Sequence, residues 1–253
     1  MSGVDLIIEN GVARIIFQDE GGRNAVTLEF CRSFARATRM AATDPDVRVI
    51  LVAAKGRFFS VGGDLGDMLA HVDTVRDHVH EMTDMFHVGI RHLHHAPVPV
   101  VVALHGMAAG GGMSIVLAGD LILAGRSGKF NSGYTRSGLT PDGGLSWLLP
   151  RLVGPVQAFR IMALNQTIGA EEAMRLGLVT QVVEDEDLDR EVETLVGILC
   201  DMPTGVLGTL KKLTREGAGR SFEAQLDLEG ETIARRAENP ETLAILRSFL
   251  SRE

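Results

Sequence analysis

Three short apolar runs, separated by longer amphipathic stretches, constrain the fold of this chain more than any other feature. The runs occupy residues 47–54, 98–104 and 120–124. Each has the length of a buried strand and is too short for a typical helix. Because parallel strands need crossover connections of a dozen residues or more, the alternation up to about residue 183 predicts an α/β fold with a mainly parallel sheet.

The N-terminal segment carries clear local signals. Asn10-Gly11 stands between apolar segments at residues 6–8 and 12–17, which predicts a β-hairpin. Thr27 follows as a suitable N-cap for a helix that extends to about residue 40.

The C-terminal part of the chain has a helical pattern from about residue 187 onward. Pro203 separates one predicted helix from the next. Asn239-Pro240 predicts another helix start, with asparagine as the N-cap and proline in the first turn. We therefore expect a strand-rich α/β core over residues 1–195 and a helical C-terminal region over residues 196–253.

Charge, hydropathy and cysteine usage bear on partners and location. The net charge of −8 argues against nucleic acid as a partner, because phosphate binding needs a basic surface. The longest apolar stretch, residues 98–104, is too short to cross a bilayer, so no membrane partner is expected.

Cys31 and Cys200 lack metal or redox spacing and are predicted to be reduced, packed thiols. Residues 1–10 lack a basic region followed by an apolar run, so we expect no signal peptide and a cytoplasmic location.

Two glycine-rich segments are the strongest candidates for chemistry. Residues 59–65 (FSVGGDL) and residues 105–114 (HGMAAGGGMS) each follow a predicted strand, and the second also begins a helix. Glycine lets backbone N–H groups approach a ligand closely, and a helix N-terminus adds partial positive charge. Two N–H groups directed at one oxygen would form an oxyanion hole. Taken singly, each segment is better explained as an ordinary strand-to-helix turn.

Four linked motifs resemble those of the enoyl-CoA hydratase/isomerase (crotonase) superfamily. They lie in family order at residues 59–65, 105–114, 138–144 with 149–154, and 169–173 with 177–179. The resemblance covers nearly the whole chain. It implies the ClpP/crotonase-like spiral fold, a homotrimer or a hexamer built as a dimer of trimers, and acyl-CoA thioester substrates. Coenzyme A would then enter as part of the substrate, and no separate cofactor is implied.

The resemblance also implies roles for individual residues. Gly63, just before Asp64, and Gly111, the middle glycine of its triplet, would supply the two oxyanion N–H donors. Further residues would line the pantetheine and adenine path of the substrate: Arg23, Ala25, Ser60, Gly62, Asp64 and Leu65. Asp64 is expected to bond the backbone and shape its loop rather than to act as a base.

Both glutamate positions of the family's hydratases differ in this chain. Those enzymes use one glutamate to activate water and one to move the α-proton. Ser114 and Tyr134 occupy the matching positions here. Neither is an effective base near pH 7, since the reference pKa of tyrosine is about 10 and that of serine is higher. Tyr134 is expected on the pocket wall, with simple packing as the alternative, and Trp147 is expected in the core.

Asp142 is the remaining candidate base. The run around it, residues 138–151, resembles the enoyl-CoA and ring-epoxide phenylacetyl-CoA isomerases, in which the matching aspartate moves the proton. One carboxylate suffices for an isomerase, because it can take a proton from one carbon and return it to another while the oxyanion hole holds the enolate. A helix N-cap is the alternative explanation of Asp142. Hydration or thioester hydrolysis, and a non-catalytic acyl-CoA-binding role, remain as alternative functions.

All eight histidines lie within residues 71–105. The pairs His80–Asp84 and His92–His95 have spacings that metal ligands can use on a helix. We interpret the segment as a solvated helix that flanks the site, and we expect no metal. A histidine near the pocket could also pair with Asp142 acting as a nucleophile, as in the aryl-CoA dehalogenases of the superfamily.

Overall fold

The computed structural model describes residues 3–251 and contains a six-stranded sheet with two smaller sheets. The strands are β1 (Val4–Glu9), β2 (Val12–Phe17), β3 (Ala25–Val26), β4 (Val49–Ala54), β5 (Gly62–Gly63), β6 (Val100–Leu104), β7 (Met107–Ala109), β8 (Leu121–Gly125), β9 (Lys129–Asn131), β10 (Ile168–Gly169) and β11 (Gln181–Val183). The large sheet has the order β1-β2-β4-β6-β8-β11. Its strands pair in parallel except for the antiparallel hairpin of β1 and β2. The predicted α/β fold with a mainly parallel sheet is confirmed.

Helices connect the strands and make up the C-terminal region. They are α1 (Leu28–Thr43), α2 (Leu65–Ala70), α3 (Val75–His95), α4 (Gly111–Leu117), α5 (Leu145–Val153), α6 (Pro155–Leu164), α7 (Ala170–Arg175), α8 (Leu188–Cys200), α9 (Val206–Gly217), α10 (Phe222–Ala237) and α11 (Pro240–Leu250). Thr27 caps α1 as predicted, since its side chain accepts the Phe30 N–H. Asn239 caps α11 in the same way by accepting the Glu241 N–H.

Helices cover both faces of the large sheet. On one face α1 packs against α3, where Phe34 lies so close to Gly89 that an added Cβ would stand 2.3 Å from the ring. On the other face α8 places Val192 and Val196 against the sheet residue Leu51 and its neighbours. Burying side chains of this kind contributes about 1.5–3 kcal/mol each. The sheet is therefore the rigid support on which the loops at its strand ends are mounted.

The two small sheets place the glycine segments side by side. β5 pairs in parallel with β3, and β7 pairs in parallel with β9. A single parallel bridge joins Ser60 to Ala108. The segment that contains Gly62 and Gly63 is thereby tied to the segment that leads into α4.

The helices after α8 are attached to the core mainly through α9. Lys211 and Arg215 of α9 form ion pairs of 2.8 Å and 2.7 Å with Asp120. Helices α10 and α11 bury no residue within this chain. The predicted boundary between residues 195 and 196 falls inside α8, which packs on the sheet as far as Leu199. The helical region that leaves the sheet therefore begins after Cys200.

Two further points concern the chain as a whole. Residues 1–2 and 252–253, at the ends of the two predicted regions, lie outside the described residues. Within residues 3–251 no helix combines the length and the apolar character needed to cross a membrane.

Candidate active site

A cavity of about 320 Å³ brings the two glycine segments together with Asp142 and Tyr134. Its lining is Cys31, Val61, Gly62, Gly63, Leu65, Met68, Val79, Met82, Thr83, Phe86, Gly110, Gly111, Gly133, Tyr134, Ser137, Leu139, Thr140, Pro141 and Asp142. Most of these side chains are apolar or absent, as in a typical pocket for a small organic ligand. Among the described residues that line it, Asp142 is the only carboxylate.

The glycine triplet forms the N-terminus of α4. Gly110 adopts a left-handed φ of 51° and is the N-cap, so Gly111 provides the first N–H of the helix. The first N–H groups of a helix have no acceptor within it and carry partial positive charge. Gly112 lies against Ser60, where an added Cβ would stand 2.7 Å from the serine Cβ. Gly110 is thus favoured by its φ and Gly112 by the lack of room for a Cβ, and the triplet directs a helix N-terminus at the cavity.

The first glycine segment lies directly opposite, in β5. Gly62 has a φ of 82°, and a Cβ there would stand 2.7 Å from the carbonyl oxygen of Ala109. The buried Ser60 hydroxyl donates to the Asn24 carbonyl at 2.7 Å and accepts the Gly62 N–H at 3.1 Å. Gly63 then lines the cavity, where an added Cβ would meet only the tip of Met68 at 3.3 Å. The backbone of this segment is thus fixed by the contacts of Gly62 with Ala109 and Ser60, which leaves Gly63 facing the cavity.

Of the other residues predicted to bind substrate, some line the cavity and some do not. Leu65 lines the cavity, whereas Arg23, Ala25 and Asp64 are not among its lining residues. Ala25 pairs with Gly62, and the Arg23 carbonyl accepts the Val61 N–H at 3.0 Å. These two residues hold the glycine segment through their backbone.

The Asp64 side chain caps α2. It accepts the N–H groups of Gly66 at 2.8 Å and Asp67 at 3.3 Å. The carboxylate thus holds the start of α2 against the glycine segment. That arrangement agrees with a loop-shaping role, and Asp64 is not among the residues that line the cavity.

The carboxylate of Asp142 is held by Tyr134. The tyrosine hydroxyl donates to Oδ1 of Asp142 at 2.5 Å. Burial, followed by the negative charge of Asp142, raises the pKa of Tyr134 far above its ordinary value. Tyr134 therefore stays protonated and acts as a donor rather than as a base. The Ser114 hydroxyl donates to the backbone carbonyl of Asp142 at 3.0 Å.

Asp142 does not serve as a helix N-cap. Helix α5 begins at Leu145 and its N-cap is Gly144, whose backbone is left-handed. The side chain of Asp142 is thus engaged by Tyr134 while its second oxygen, Oδ2, has no hydrogen bond to a described residue. That oxygen is the group best placed for chemistry in the cavity.

His87 is a site residue that the sequence did not single out. Its Nε2 accepts the Gly143 N–H at 3.1 Å and lies 4.0 Å from Oδ2 of Asp142. Nε2 is thus the ring nitrogen that faces both the Gly143 backbone and the Asp142 carboxylate. His87 lies one turn after Thr83 and next to Phe86, which both line the cavity. The sequence alone gave no signal that separates it from the other seven histidines.

The interpretation of the histidine segment as a solvated helix is wrong for several of its members. The His78 side chain is only 8% exposed and bonds to Asp67. His92 contacts the Thr38 hydroxyl at 3.2 Å, and burial lowers its pKa. The pairs His80–Asp84 and His92–His95 do not form a cluster of metal-ligand type among the described residues; a different cluster, which includes Asp67 and His78, does.

Two further predictions concern Trp147 and Cys31. Trp147 is 44% exposed and not part of the core, because it lies on the outer face of α5 with the Arg151 guanidinium 3.7 Å from its ring centre. Cys31 is buried as predicted and lines the cavity. Burial raises the pKa of its thiol to about 12, so Cys31 is a neutral wall residue rather than a nucleophile.

Comparisons with known proteins agree with this architecture. The model of the family described as enoyl-CoA hydratase/isomerase matches residues 7–243. The chain is 32% identical to the 1,2-epoxyphenylacetyl-CoA isomerase of Escherichia coli (strain K12), over 88% of this chain and 85% of that protein. It is 27% identical to 4-chlorobenzoyl coenzyme A dehalogenase-2 of Arthrobacter sp, over 96% of this chain and 89% of that protein. An enoyl-CoA hydratase structure from Polaromonas sp. JS666 superposes with a TM-score of 0.93 at 26% identity, covering 99% of this chain and 97% of that one. Three reaction names at similar distances do not select a reaction.

Proposed function

Because this chain belongs to the enoyl-CoA hydratase/isomerase family, we propose that it is an acyl-CoA isomerase. It would shift a double bond, or rearrange a ring epoxide, through a thioester enolate. The observation that carries the proposal is that Asp142 is the only carboxylate among the described residues lining the cavity. A hydratase of this family needs two carboxylates. The positions of its two glutamates are occupied here by Ser114 and Tyr134, and both of these side chains bond to Asp142 instead.

The glycine segments support the enolate step. The N–H groups of Gly63 and Gly111 would donate to the thioester oxygen as it gains negative charge. The N-terminal position of Gly111 in α4 adds the favourable field of the helix. Each donor of such a pair contributes about 2.7–4 kcal/mol to transition-state stabilisation.

Asp142 would carry the proton. Its Oδ2 takes the proton from the carbon next to the thioester, and the electron pair moves onto the thioester oxygen. The protonated carboxyl then returns the proton to the γ-carbon, which turns a 3-enoyl thioester into a 2-enoyl thioester without net gain or loss of atoms. The Tyr134 hydroxyl keeps Oδ1 engaged and fixes the plane of the carboxylate throughout.

The proposal also includes the substrate class and the oligomeric assembly. The substrate is an acyl-CoA thioester, whose coenzyme A portion would pass the backbone near Arg23, Ala25 and Ser60. The assembly is a homotrimer or a dimer of trimers. The exposed apolar residues of α10 and α11 support an assembly of several chains, since neither helix buries any residue within one chain.

The test is an assay of three substrates with purified protein: a trans-3-enoyl-CoA, crotonyl-CoA and a ring-epoxide acyl-CoA. We expect isomerisation of the first or the third and no addition of water to crotonyl-CoA, with products identified by mass and chromatography. Asp142→Asn should lower kcat by about 10²–10⁴-fold. Asp84→Asn, which changes an exposed carboxylate on α3, is the matched control and should leave kcat unchanged.

Three results would contradict the proposal. Isomerisation that survives in Asp142→Asn would remove Asp142 from the proton path. Hydration of crotonyl-CoA by the unaltered protein would mean that another group activates water. Tight acyl-CoA binding without turnover of any of the three substrates would favour a non-catalytic binding role.

A nucleophilic role for Asp142 is the second candidate, and the position of His87 favours it. Oδ2 of Asp142 would displace a halide from the ring of an aryl-CoA thioester and form an aryl ester. A water molecule would then attack the ester carbonyl of Asp142 while His87 Nε2, released from the Gly143 N–H, takes its proton. The bond from that carbonyl to the aryl oxygen breaks, which releases hydroxyaryl-CoA and restores the Asp142 carboxylate. A single turnover in ¹⁸O-labelled water separates the two candidates, because only the ester route places the label in the Asp142 carboxylate.

A further inference from the structure

A second group of reactive side chains lies at the corner between α2 and α3, outside the cavity. Asp67 and His71 lie one turn apart at the end of α2, and His78 follows in the first turns of α3. One ligand atom from each of the three residues lies within 4.8 Å of the other two. None of the three lines the cavity that contains Asp142.

The three side chains are held in position by one another. His78 Nε2 lies 2.8 Å from Oδ2 of Asp67, and its side chain is only 8% exposed. His71 Nδ1 lies 2.9 Å from the Asp67 carbonyl oxygen and 3.6 Å from Oδ1. The two imidazole rings stack with their centres 3.9 Å apart and their planes within 8°. Two imidazoles and one carboxylate are therefore gathered before any ligand binds.

The surroundings of this cluster favour a cation. It borders an open cleft of about 720 Å³ that also contains Glu29, Asp77 and Glu81. The single arginine among the described residues of that cleft, Arg32, is paired with Glu81. The cleft is thus acidic and open to water, which leaves room for further ligands around a bound ion.

We propose that Asp67, His71 and His78 bind a divalent transition-metal ion of the zinc class. Imidazole nitrogen together with carboxylate oxygen is the donor set that Zn²⁺ and Co²⁺ accept readily, whereas Mg²⁺ and Ca²⁺ prefer oxygen alone. Water fills the remaining positions from the open cleft. The proposed ion would not touch a substrate in the Asp142 cavity, because none of its three ligands lines that cavity.

The ion would join two elements that build one side of that cavity. Met68, next to Asp67 on α2, and Val79, next to His78 on α3, both line it. Helix α2 has only six residues and buries none of them, so little else holds it against α3. Metal binding therefore fixes the Met68–Val79 side of the cavity.

The test measures metal binding by the full chain in the absence of any substrate. Purified, metal-stripped protein is titrated with Zn²⁺ by calorimetry and with Co²⁺ by visible absorption, and the bound metal per chain is counted by mass spectrometry. We expect one ion per chain and a Tm that rises by several degrees with excess Zn²⁺. Asp67→Asn and His71→Ala should each weaken binding at least 10–100-fold, the loss known even for groups that only support a metal ligand.

Matched controls come from the same cleft and the same helix. Asp77→Asn alters an exposed cleft carboxylate, and His80→Ala alters an exposed histidine on α3; both should bind like the unaltered protein. His71 is exposed, so His71→Ala keeps the fold and gives a result even if changes at the buried His78 do not. Absence of stoichiometric binding, or equal loss in the control variants, would overturn the proposal and leave an Asp–His hydrogen-bonded pair.

Discussion

The two halves of the cavity are built by different means. The glycine half, residues 62–63 and 110–112, is fixed by backbone: Gly62 and Gly110 have left-handed φ angles, and Gly62 and Gly112 have no room for a Cβ. The carboxylate half, Tyr134, Asp142 and His87, is fixed by side-chain hydrogen bonds, one within the loop that carries Asp142 and one between that loop and α3. Backbone constraints tie the first half to the fold, whereas single side-chain changes can alter the second without disturbing the sheet. If the glycine half is the oxyanion site proposed above, this difference would let one fold carry several reactions on it.

Ser114 marks the border between the halves. It belongs to α4, the helix of the glycine half, and its hydroxyl holds the Asp142 backbone. Gly143 packs so closely on it that an added Cβ would stand 2.7 Å from the Ser114 Cβ. A glutamate at position 114 would therefore need the loop of Asp142 to move away. The carboxylate half occupies the space that a second carboxylate would require.

Gly62→Ala should have the largest effect, because it breaks the glycine half. The new Cβ would meet the Ala109 carbonyl oxygen at 2.7 Å, and alanine disfavours a φ of 82°. We expect a loss of about 2–5 kcal/mol in the free energy of unfolding, measured in urea. The displaced Gly63 N–H should also lower kcat/KM by about 10²–10³-fold.

Gly138→Ala is the control for that prediction. Gly138 has a similar φ of 72°, but nothing lies within 4 Å of its hypothetical Cβ. Only the backbone strain of about 1–2 kcal/mol should remain. Equal losses in the two variants would mean that the close approach to Ala109 does not constrain the glycine half.

Tyr134→Phe should have a smaller effect, confined to the carboxylate half. It removes the hydroxyl that donates to Asp142 at 2.5 Å, and hydrogen bonds to charged groups contribute about 1.5–3 kcal/mol. We expect kcat to fall about 10–100-fold and the free energy of unfolding to fall by about 1.5–3 kcal/mol, while KM changes little. Steady-state kinetics and urea unfolding measure both.

Ser114→Ala is the matched control for Tyr134→Phe. It removes a bond to the backbone of Asp142 rather than to its carboxylate. A neutral hydrogen bond of this kind contributes about 0.5–1.5 kcal/mol. If Ser114→Ala lowered kcat more than Tyr134→Phe, the position of the loop rather than the hold on the carboxylate would limit the reaction.

The same division describes what the sequence could predict. The mainly parallel sheet could be predicted from short apolar runs and helical connections, but its strand order could not. The glycine segments could be located from the sequence alone, whereas the roles of Gly63 and Gly111 were implied only by the family resemblance. Asp142 could be selected because the run around it, residues 138–151, resembles that of superfamily isomerases. Its bond to Tyr134 joins two residues eight positions apart in an irregular loop, and local periodicity cannot give such a geometry.

His87 and Trp147 show why the rest escaped prediction. His87 is one of eight histidines in a short segment, and only the packing of α3 against the Asp142 loop distinguishes it from the others. Trp147 was assigned to the core by its apolar character, yet Arg151 covers its exposed ring one turn later in α5. The position of His87 depends on a contact between segments that are distant in sequence. The exposure of Trp147 depends on which face of a short helix points outward.

His94→Gln should have the smallest effect on activity. It tests whether a change on α3 outside the two halves of the cavity leaves the reaction unaffected. His94 lies on α3 like His87 but outside both halves, where Arg215 donates to its Nδ1. Burial, then the charge of Arg215, lowers the pKa of His94 to about 4. The unfolded chain, with an ordinary histidine pKa near 6.5, binds more protons between pH 4 and 6.5, so the folded state loses stability as the pH falls through this window. The ring is partly exposed, which limits the effect to about 1–2 kcal/mol.

In His94→Gln, the free energy of unfolding measured in urea should vary less between pH 4 and 6.5, and kcat should be unchanged. An altered kcat would mean that the far end of α3 is coupled to the carboxylate half, and the two could no longer be treated as separate regions.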